Sequence, residues 1–180
     1  MLGFDILRSQ SNVQLAMKIV LAGIEETYKL GVCLGESLNV PSVLLLEGGL
    51  GAGKTSLVQG IGEALGVRES IVSPTFTLIN EYKGERCPLY HLDLYRISSS
   101  EVYQLSLETY WEGIETEPGI TAIEWSEHMP YKPYSYIGLH LTQIDEEIRN
   151  VEISMCSYVL PQALSDFVQN KITLTSANQG

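Results

Sequence analysis

An α/β three-layer sandwich, with a mostly parallel central sheet and antiparallel hairpins, is the fold this sequence predicts. Three observations carry it. A wholly apolar run of strand length, Val43-Leu44-Leu45-Leu46, leads into a glycine-rich segment and then into Leu57, Val58, Ile61, Ala64 and Leu65 at helical spacing. A second apolar run, Ile120-Thr121-Ala122-Ile123, has the same buried-strand character. Two further pairs of segments are separated by polar turns and read as hairpins. The 180 residues, 44% hydrophobic and 18% charged, suffice for one folded domain.

The elements follow in order. Residues 1–17 have no clean period and carry the cluster Ser9-Gln10-Ser11-Asn12, so they read as an extension or a loose first element, with Lys18 to Leu21 as a short strand. Glu25-Glu26 then open a helix with Tyr28, Leu30, Val32 and Leu34, ending near Ser37 and weakened by Gly31 and Gly35. Pro41-Ser42 precede the first buried strand, and Gly66 stands where the helix after the glycine segment needs its cap. Residues 76–82 and 89–95, joined by Lys83-Gly84-Glu85-Arg86, form the first expected hairpin. Ser98 with Glu101 fits a capping box that starts a helix through about residue 108. After the strand at 119–125, Ile137, Leu139 and Leu141 alternate, as do Val151, Ile153 and Met155, around the polar residues 145–150. Pro161 to Val168 reads as a short helix and residues 171–180 as a frayed tail.

Composition bounds the function. Eleven Lys plus Arg against 22 Asp plus Glu give a net charge of −11. A protein that grips DNA or RNA with its whole surface needs a basic face, so any action on RNA is expected to run through a partner. Cys33, Cys87 and Cys156 make no even framework and no C-x-x-C pair, which argues against a disulfide scaffold and a structural zinc site. No apolar run approaches a membrane span, and Ile19 to Ile24 is too short and too closely followed by Glu25-Glu26 for a secretory signal. The expectation is a cytoplasmic protein.

The chemistry concentrates in Gly48-Gly49-Leu50-Gly51-Ala52-Gly53-Lys54-Thr55, which satisfies G-x-x-x-x-G-K-[ST] at every fixed position. Glycines let the backbone close around phosphate with successive N–H groups turned inward, and the helix start at Lys54, Thr55 and Ser56 adds partial positive charge. Lys54 is placed for the β- and γ-phosphates and Thr55 for Mg²⁺. No Asn-Lys-x-Asp run marks a guanine site, and Arg8, Arg68, Arg86, Arg96 and Arg149 do not cluster as a kinase lid would. A small-molecule kinase and a non-catalytic nucleotide-sensing adaptor stay open beside an ATPase.

Carboxylates that hold Mg²⁺ and position water belong at strand ends beside such a loop, and Asp93 and Glu124 are the candidates. Ser73-Pro74-Thr75-Phe76-Thr77, hydroxyls around a proline, suits a segment that senses the γ-phosphate. His91, His128, Trp111 and Trp125 read first as packed or solvated residues.

With Glu26-Thr27, Leu30-Gly31, the loop at 50–55, the segment 73–77, His91-Leu-Asp-Leu-Tyr-Arg96 and Ile123-Glu-Trp125 in this order, residues 24–149 resemble the TsaE (YjeE) family. These are P-loop ATPases of bacterial tRNA threonylcarbamoyladenosine synthesis. The resemblance implies a P-loop NTPase-like fold, and the domain is expected over 24–170, with the extension and short strand (1–23) before it and the tail (171–180) after it. It implies ATP or ADP as nucleotide with Thr27 on its adenine side, Thr55, Glu124 and Asp93 on Mg²⁺, and Ser73, Pro74, Thr75 and Thr77 in the switch. Lys54, Asp93 and Thr77 become the expected catalytic set, while Trp125 and Arg149 join the loop residues 49–56 around the nucleotide. It further implies action with TsaB and TsaD proteins, so that tRNA is met only indirectly. Gly49 departs from the family pattern, which usually has Asp there.

Overall fold

The computed structural model describes residues 13–113 and 115–177. Residues 1–12 of the expected extension and residues 178–180 of the expected tail lie outside the described residues. In chain order the elements are β1 (Val13–Ala22), α1 (Gly23–Ser37), β2 (Ser42–Glu47), α2 (Lys54–Ala64), β3 (Ile79–Tyr82), β4 (Leu89–Asp93) and α3 (Ser99–Val102). A 3₁₀ turn at Tyr103–Leu105 leads to α4 (Thr109–Glu112) and β5 (Ile120–Glu124). Another at Ser126–His128 leads to β6 (Tyr136–Gln143), β7 (Ile148–Cys156) and α5 (Gln162–Ala177).

Seven strands form one sheet in the order β1-β7-β6-β2-β5-β4-β3. β6, β2, β5 and β4 are mutually parallel, and only β3 and β7 run against the common direction. The α/β architecture with its mostly parallel sheet and antiparallel hairpins is therefore as the sequence predicts. Alternate residues of β2 serve two cores, as a strand buried on both faces must. Leu44 and Leu46 pack with α1, α2 and α5, whereas Val43 and Leu45 pack with Leu92, Ile123, Val102 and Leu107. No helix among the described residues is long and apolar enough to cross a membrane.

The glycines that weaken α1 in isolation have a purpose in the packing. A Cβ on Gly31 would overlap the Leu57 carbonyl of α2, and one on Gly60 would overlap the Tyr28 carbonyl of α1. Losing helix propensity here permits two backbones to touch, and that contact brings Thr27 against the loop that precedes α2.

The structure corrects four element boundaries. β1 spans ten residues because β7 pairs with it from Val13↔Cys156 to Ala22↔Ile148, so residues 13–17 belong to a strand. β3 begins only at Ile79, because the preceding residues fold into a turn closed by Leu78 N–H to the Pro74 carbonyl at 2.7 Å. The capping box of Ser98 and Glu101 forms, but its helix ends at Val102 and Ser106 turns left-handed at φ 48°. Val102 and Leu107 are both fully buried; on one continuous helix they would point about 140° apart. Breaking the helix lets both reach the sheet. Finally, α5 continues through Ala177, with Lys171 paired to Glu26 of α1, so residues 171–177 are helical and not a frayed tail.

Candidate functional site

β2, β4 and β5 all end, in the C-terminal direction of the parallel sheet, on an acidic residue: Glu47, Asp93 and Glu124. That edge is where open α/β sheets bind ligands, because the loops leaving the strands diverge there. A cleft of about 440 Å³ opens above it.

Residues 50–53 of the loop line the cleft, whereas Gly48 and Gly49 line a neighbouring hollow against the end of β6. Gly48 has φ 131°, and a Cβ there would overlap the Leu141 carbonyl of β6; Gly51 and Gly53 also have positive φ, 76° and 106°. Gly49 is different: a Cβ would meet nothing within 4 Å, so the position does not demand glycine. Gly53 caps α2, whose first N–H groups have no partner within the helix and whose first residues, Lys54, Thr55 and Ser56, line the cleft. Lys54, 4% exposed, donates to the Gly48 carbonyl at 2.6 Å and the Gly49 carbonyl at 3.0 Å. Its ammonium also lies 4.1 Å from the centroid of the Trp125 ring. Burial pushes this amine below the ordinary lysine value, against the opposing pull of Glu124, Glu127 and Asp93.

Two carboxylates face the loop. Glu124 Oε1 accepts from the Thr55 hydroxyl at 2.8 Å and pairs with His91 Nε2 at 2.9 Å. Asp93 Oδ2 accepts from the Ser73 and Thr75 hydroxyls at 2.8 and 2.7 Å, and its Oδ1 from the Tyr95 backbone N–H at 2.9 Å. Trp125, left-handed at φ 58°, turns the chain out of β5 and stacks obliquely on Tyr95 at 4.7 Å.

Of the residues singled out in the sequence, Leu50, Gly51, Ala52, Gly53, Lys54, Thr55, Ser56, Ser73, Thr75, Asp93, Glu124 and Trp125 all line this cleft. Thr27 and Arg149 stand just behind the loop: a Cβ on Gly53 would lie 3.3 Å from Thr27 Cγ2 and 3.6 Å from Arg149 Nε. Arg149 is 6% exposed and its Nε and Nη1 have no hydrogen-bond partner. Pro74 contributes its carbonyl to the turn at Leu78. Thr77 is not brought in; its hydroxyl donates to Asn80 Oδ1 at 2.9 Å on an exposed surface.

Sequence reasoning did not place Ile24, Tyr95 or Arg96 at the site, and it read His91 first as a packed or solvated residue. The signal for Tyr95 and Arg96 is positional, since they directly follow Asp93 where β4 ends at the ligand edge. For His91 it is the period of two that sets it on the same face of β4 as Asp93. His91 is packed, as read, but it is also the partner of Glu124.

The donors at this site are hydroxyl and carboxylate oxygens, the set that suits a hard cation such as Mg²⁺. Among the described residues no three His, Cys, Asp or Glu side chains could by themselves hold a metal. Mg²⁺ carried on a nucleotide needs only one or two carboxylates, so the set fits.

Comparison with known proteins bears on these residues together. Residues 21–151 match the family model described as threonylcarbamoyl adenosine biosynthesis protein TsaE. A Nostoc sp. protein named tRNA threonylcarbamoyladenosine biosynthesis protein TsaE is 61% identical over 145 residues, covering 81% of this chain and 90% of that one. A Synechocystis sp. protein of the same name is 49% identical over 118 residues, covering 66% and 75%. The crystal structure of YdiB from Bacillus subtilis superposes with a TM-score of 0.66 at 27% identity, covering 89% of this chain and 98% of that one.

Proposed function

This chain belongs to the TsaE family, and from that premise we propose that it is a Mg²⁺-dependent ATP-binding protein and slow ATPase required for threonylcarbamoyladenosine modification of tRNA. It acts through TsaB and TsaD proteins and does not itself transfer the threonylcarbamoyl group. The observation that supports this most directly is the convergence, in one cleft, of the buried Lys54, the Thr55–Glu124 pair and the hydroxyl-bound Asp93.

The residues divide the work. Backbone N–H groups from Gly49 to Ser56 receive phosphate oxygens, and Lys54 exchanges its loop carbonyls for them. Thr55 and Glu124, with Asp93 beside them, hold Mg²⁺. When bound, Mg²⁺ neutralises phosphate charge and polarises the phosphoryl oxygens. Thr27 and Arg149, whose Nε and Nη1 have no hydrogen-bond partner, receive the nucleoside side of ATP or ADP. Asp93 orients water, and Ser73 and Thr75, which hold Asp93, report on the γ-phosphate end. Slow intrinsic turnover is the reading that fits this bonding: His91 Nε2 pairs with Glu124, and both Asp93 oxygens already accept hydrogen bonds.

ATP hydrolysis measured with and without TsaB and TsaD tests the reading, with Lys54→Ala as control. Stimulation by the partners, falling by about 10²-fold or more in the variant, is the expected result. Failure to bind ATP, or equal turnover with partners absent and present, overturns it.

A further inference from the structure

Arg96 closes the segment His91-Leu-Asp-Leu-Tyr-Arg96 and has no part in the division of work above. It lines the same cleft as Lys54, Thr55, Asp93 and Glu124. Its guanidinium lies 4.4 Å from the centroid of the Phe76 ring, and that ring is 84% exposed. Phe76 belongs to the segment whose Ser73 and Thr75 hydroxyls hold Asp93. Among the described residues the ion pairs of this acidic chain's lysines and arginines engage Lys18, Lys29, Arg68, Lys132 and Lys171. They leave Arg96 out.

A guanidinium whose carbon lies over a ring is held there without using up its N–H groups in an ion pair. That planar fork matches two phosphate oxygens at once, which an ammonium cannot do. An exposed phenyl ring beside the cleft, on the segment that grips Asp93, is a mount for such a cation and not part of either core.

We propose that Arg96 is a catalytic residue supplied in cis for phosphoryl transfer, with Phe76 as the residue that positions it. In hydrolysis a water oxygen bonds to the γ-phosphorus while the bond to the β–γ bridging oxygen breaks. The electron pair stays on that oxygen in ADP, and the water's protons leave with inorganic phosphate and solvent. Charge grows on the bridging and equatorial oxygens during the transfer, and the Arg96 fork is the cation placed to receive it. Because Phe76 and Thr75 are adjacent, a change in how the segment holds Asp93 also moves the ring on which Arg96 rests. Water orientation and charge stabilisation are thereby coupled. The inference rests on the ATPase reading and adds a residue to it.

The test uses the full-length protein with TsaB and TsaD, comparing Arg96→Ala, Arg96→Lys, Phe76→Ala and Phe76→Tyr. Two quantities are read: single-turnover ATP hydrolysis, and affinity for ADP with and without aluminium fluoride, which mimics the transferring phosphoryl group. Arg96→Ala is expected to slow hydrolysis by about 10²-fold or more and to weaken ADP–aluminium fluoride by a similar factor, with ADP affinity within about threefold. Arg96→Lys recovers less than about a tenth of the rate. Phe76→Ala loses roughly tenfold, and Phe76→Tyr restores the rate to within about twofold, because the ring is what is needed. Should Arg96→Ala fail to fold, Arg96→Lys carries the same two readouts.

Hydrolysis within threefold of wild type in Arg96→Ala, or in Arg96→Lys if that variant carries the test, overturns the proposal, as does equal weakening of ADP with and without aluminium fluoride. A wild-type protein that binds ATP yet does not hydrolyse it, alone or with partners, overturns the ATPase reading and this one with it.

Discussion

Asp93 and Glu124 are register partners at the ends of adjacent parallel strands, 2% and 3% exposed, yet they are bonded to different kinds of structure. Glu124 is held by Thr55 in the first turn of α2 and by His91 inside β4, both on fixed elements of the core. Asp93 is held by two hydroxyls of a non-repetitive segment and by the N–H of the residue two positions on. Sheet geometry delivers the two carboxylates to one edge; what each is bonded to separates the roles proposed for them. A carboxylate preorganised by rigid partners suits a metal, because little reorganisation accompanies binding. One whose partners sit on a turn can gain or lose them, and so can carry a signal.

The largest expected effect tests the rigid side. Glu124→Gln keeps the shape and removes the charge, and is expected to cut hydrolysis by about 10²–10³-fold and abolish its response to added Mg²⁺. ADP affinity measured in EDTA should stay within about threefold, because the proposed function assigns that binding to the loop and Lys54. Amide hydrogen exchange over residues 73–78 should be unchanged, since no bond of Glu124 reaches that segment. Loss of ADP binding in EDTA would make Glu124 a structural support instead.

Asp93→Asn comes next, with an expected loss of roughly 10- to 100-fold in hydrolysis. Its distinguishing mark lies elsewhere. Replacing an ionised acceptor by an amide weakens both hydroxyl bonds, so amides of residues 73–78 should exchange faster, as they do not in Glu124→Gln. Equal exchange in the two variants would erase the contrast between the carboxylates.

How much of this was legible beforehand depends on how local the cause is. β2, the loop, α2 and β5 were readable because each announces itself within a few residues, by an apolar run, a glycine pattern or a period of 3.6. The full length of β1 was not, since only its pairing with β7 stabilises it and no local signal encodes a partner more than a hundred positions away. α5 is the same case: Leu164 and Val168 bury on the core and Lys171 reaches Glu26, so tertiary contact extends a helix that local pattern stops early. The break after Val102 escaped because a capping box specifies where a helix starts and says nothing of where it ends. In the site, the loop and both carboxylates were readable from their strands. The approach of Arg149 to Gly53 is set by the pairing of Leu21 with Arg149 across β1 and β7, which spacing alone could not supply.

The smallest expected effects compare two threonines two residues apart. Thr75 and Thr77 look equivalent in the sequence, and both belong to the expected switch. In the fold Thr75 donates to Asp93 at 2.7 Å inside the cleft, whereas Thr77 donates to Asn80 at 2.9 Å outside it. Between them the chain turns, with Leu78 at φ 66° closing on Pro74, and that turn sends the two hydroxyls to opposite surroundings. Thr75→Ala removes one of the charge-assisted bonds to Asp93 and is expected to slow hydrolysis by about 5- to 15-fold, with Thr75→Ser restoring it. Thr77→Ala removes an exposed neutral bond and is expected to change the rate by less than about twofold. A loss at Thr77 as large as that at Thr75, measured in the same single-turnover assay, would mean that the segment rearranges to bring Thr77 inward during turnover. The hydroxyl that matters would then be selected by the nucleotide-bound conformation and not by the bond to Asp93 seen here.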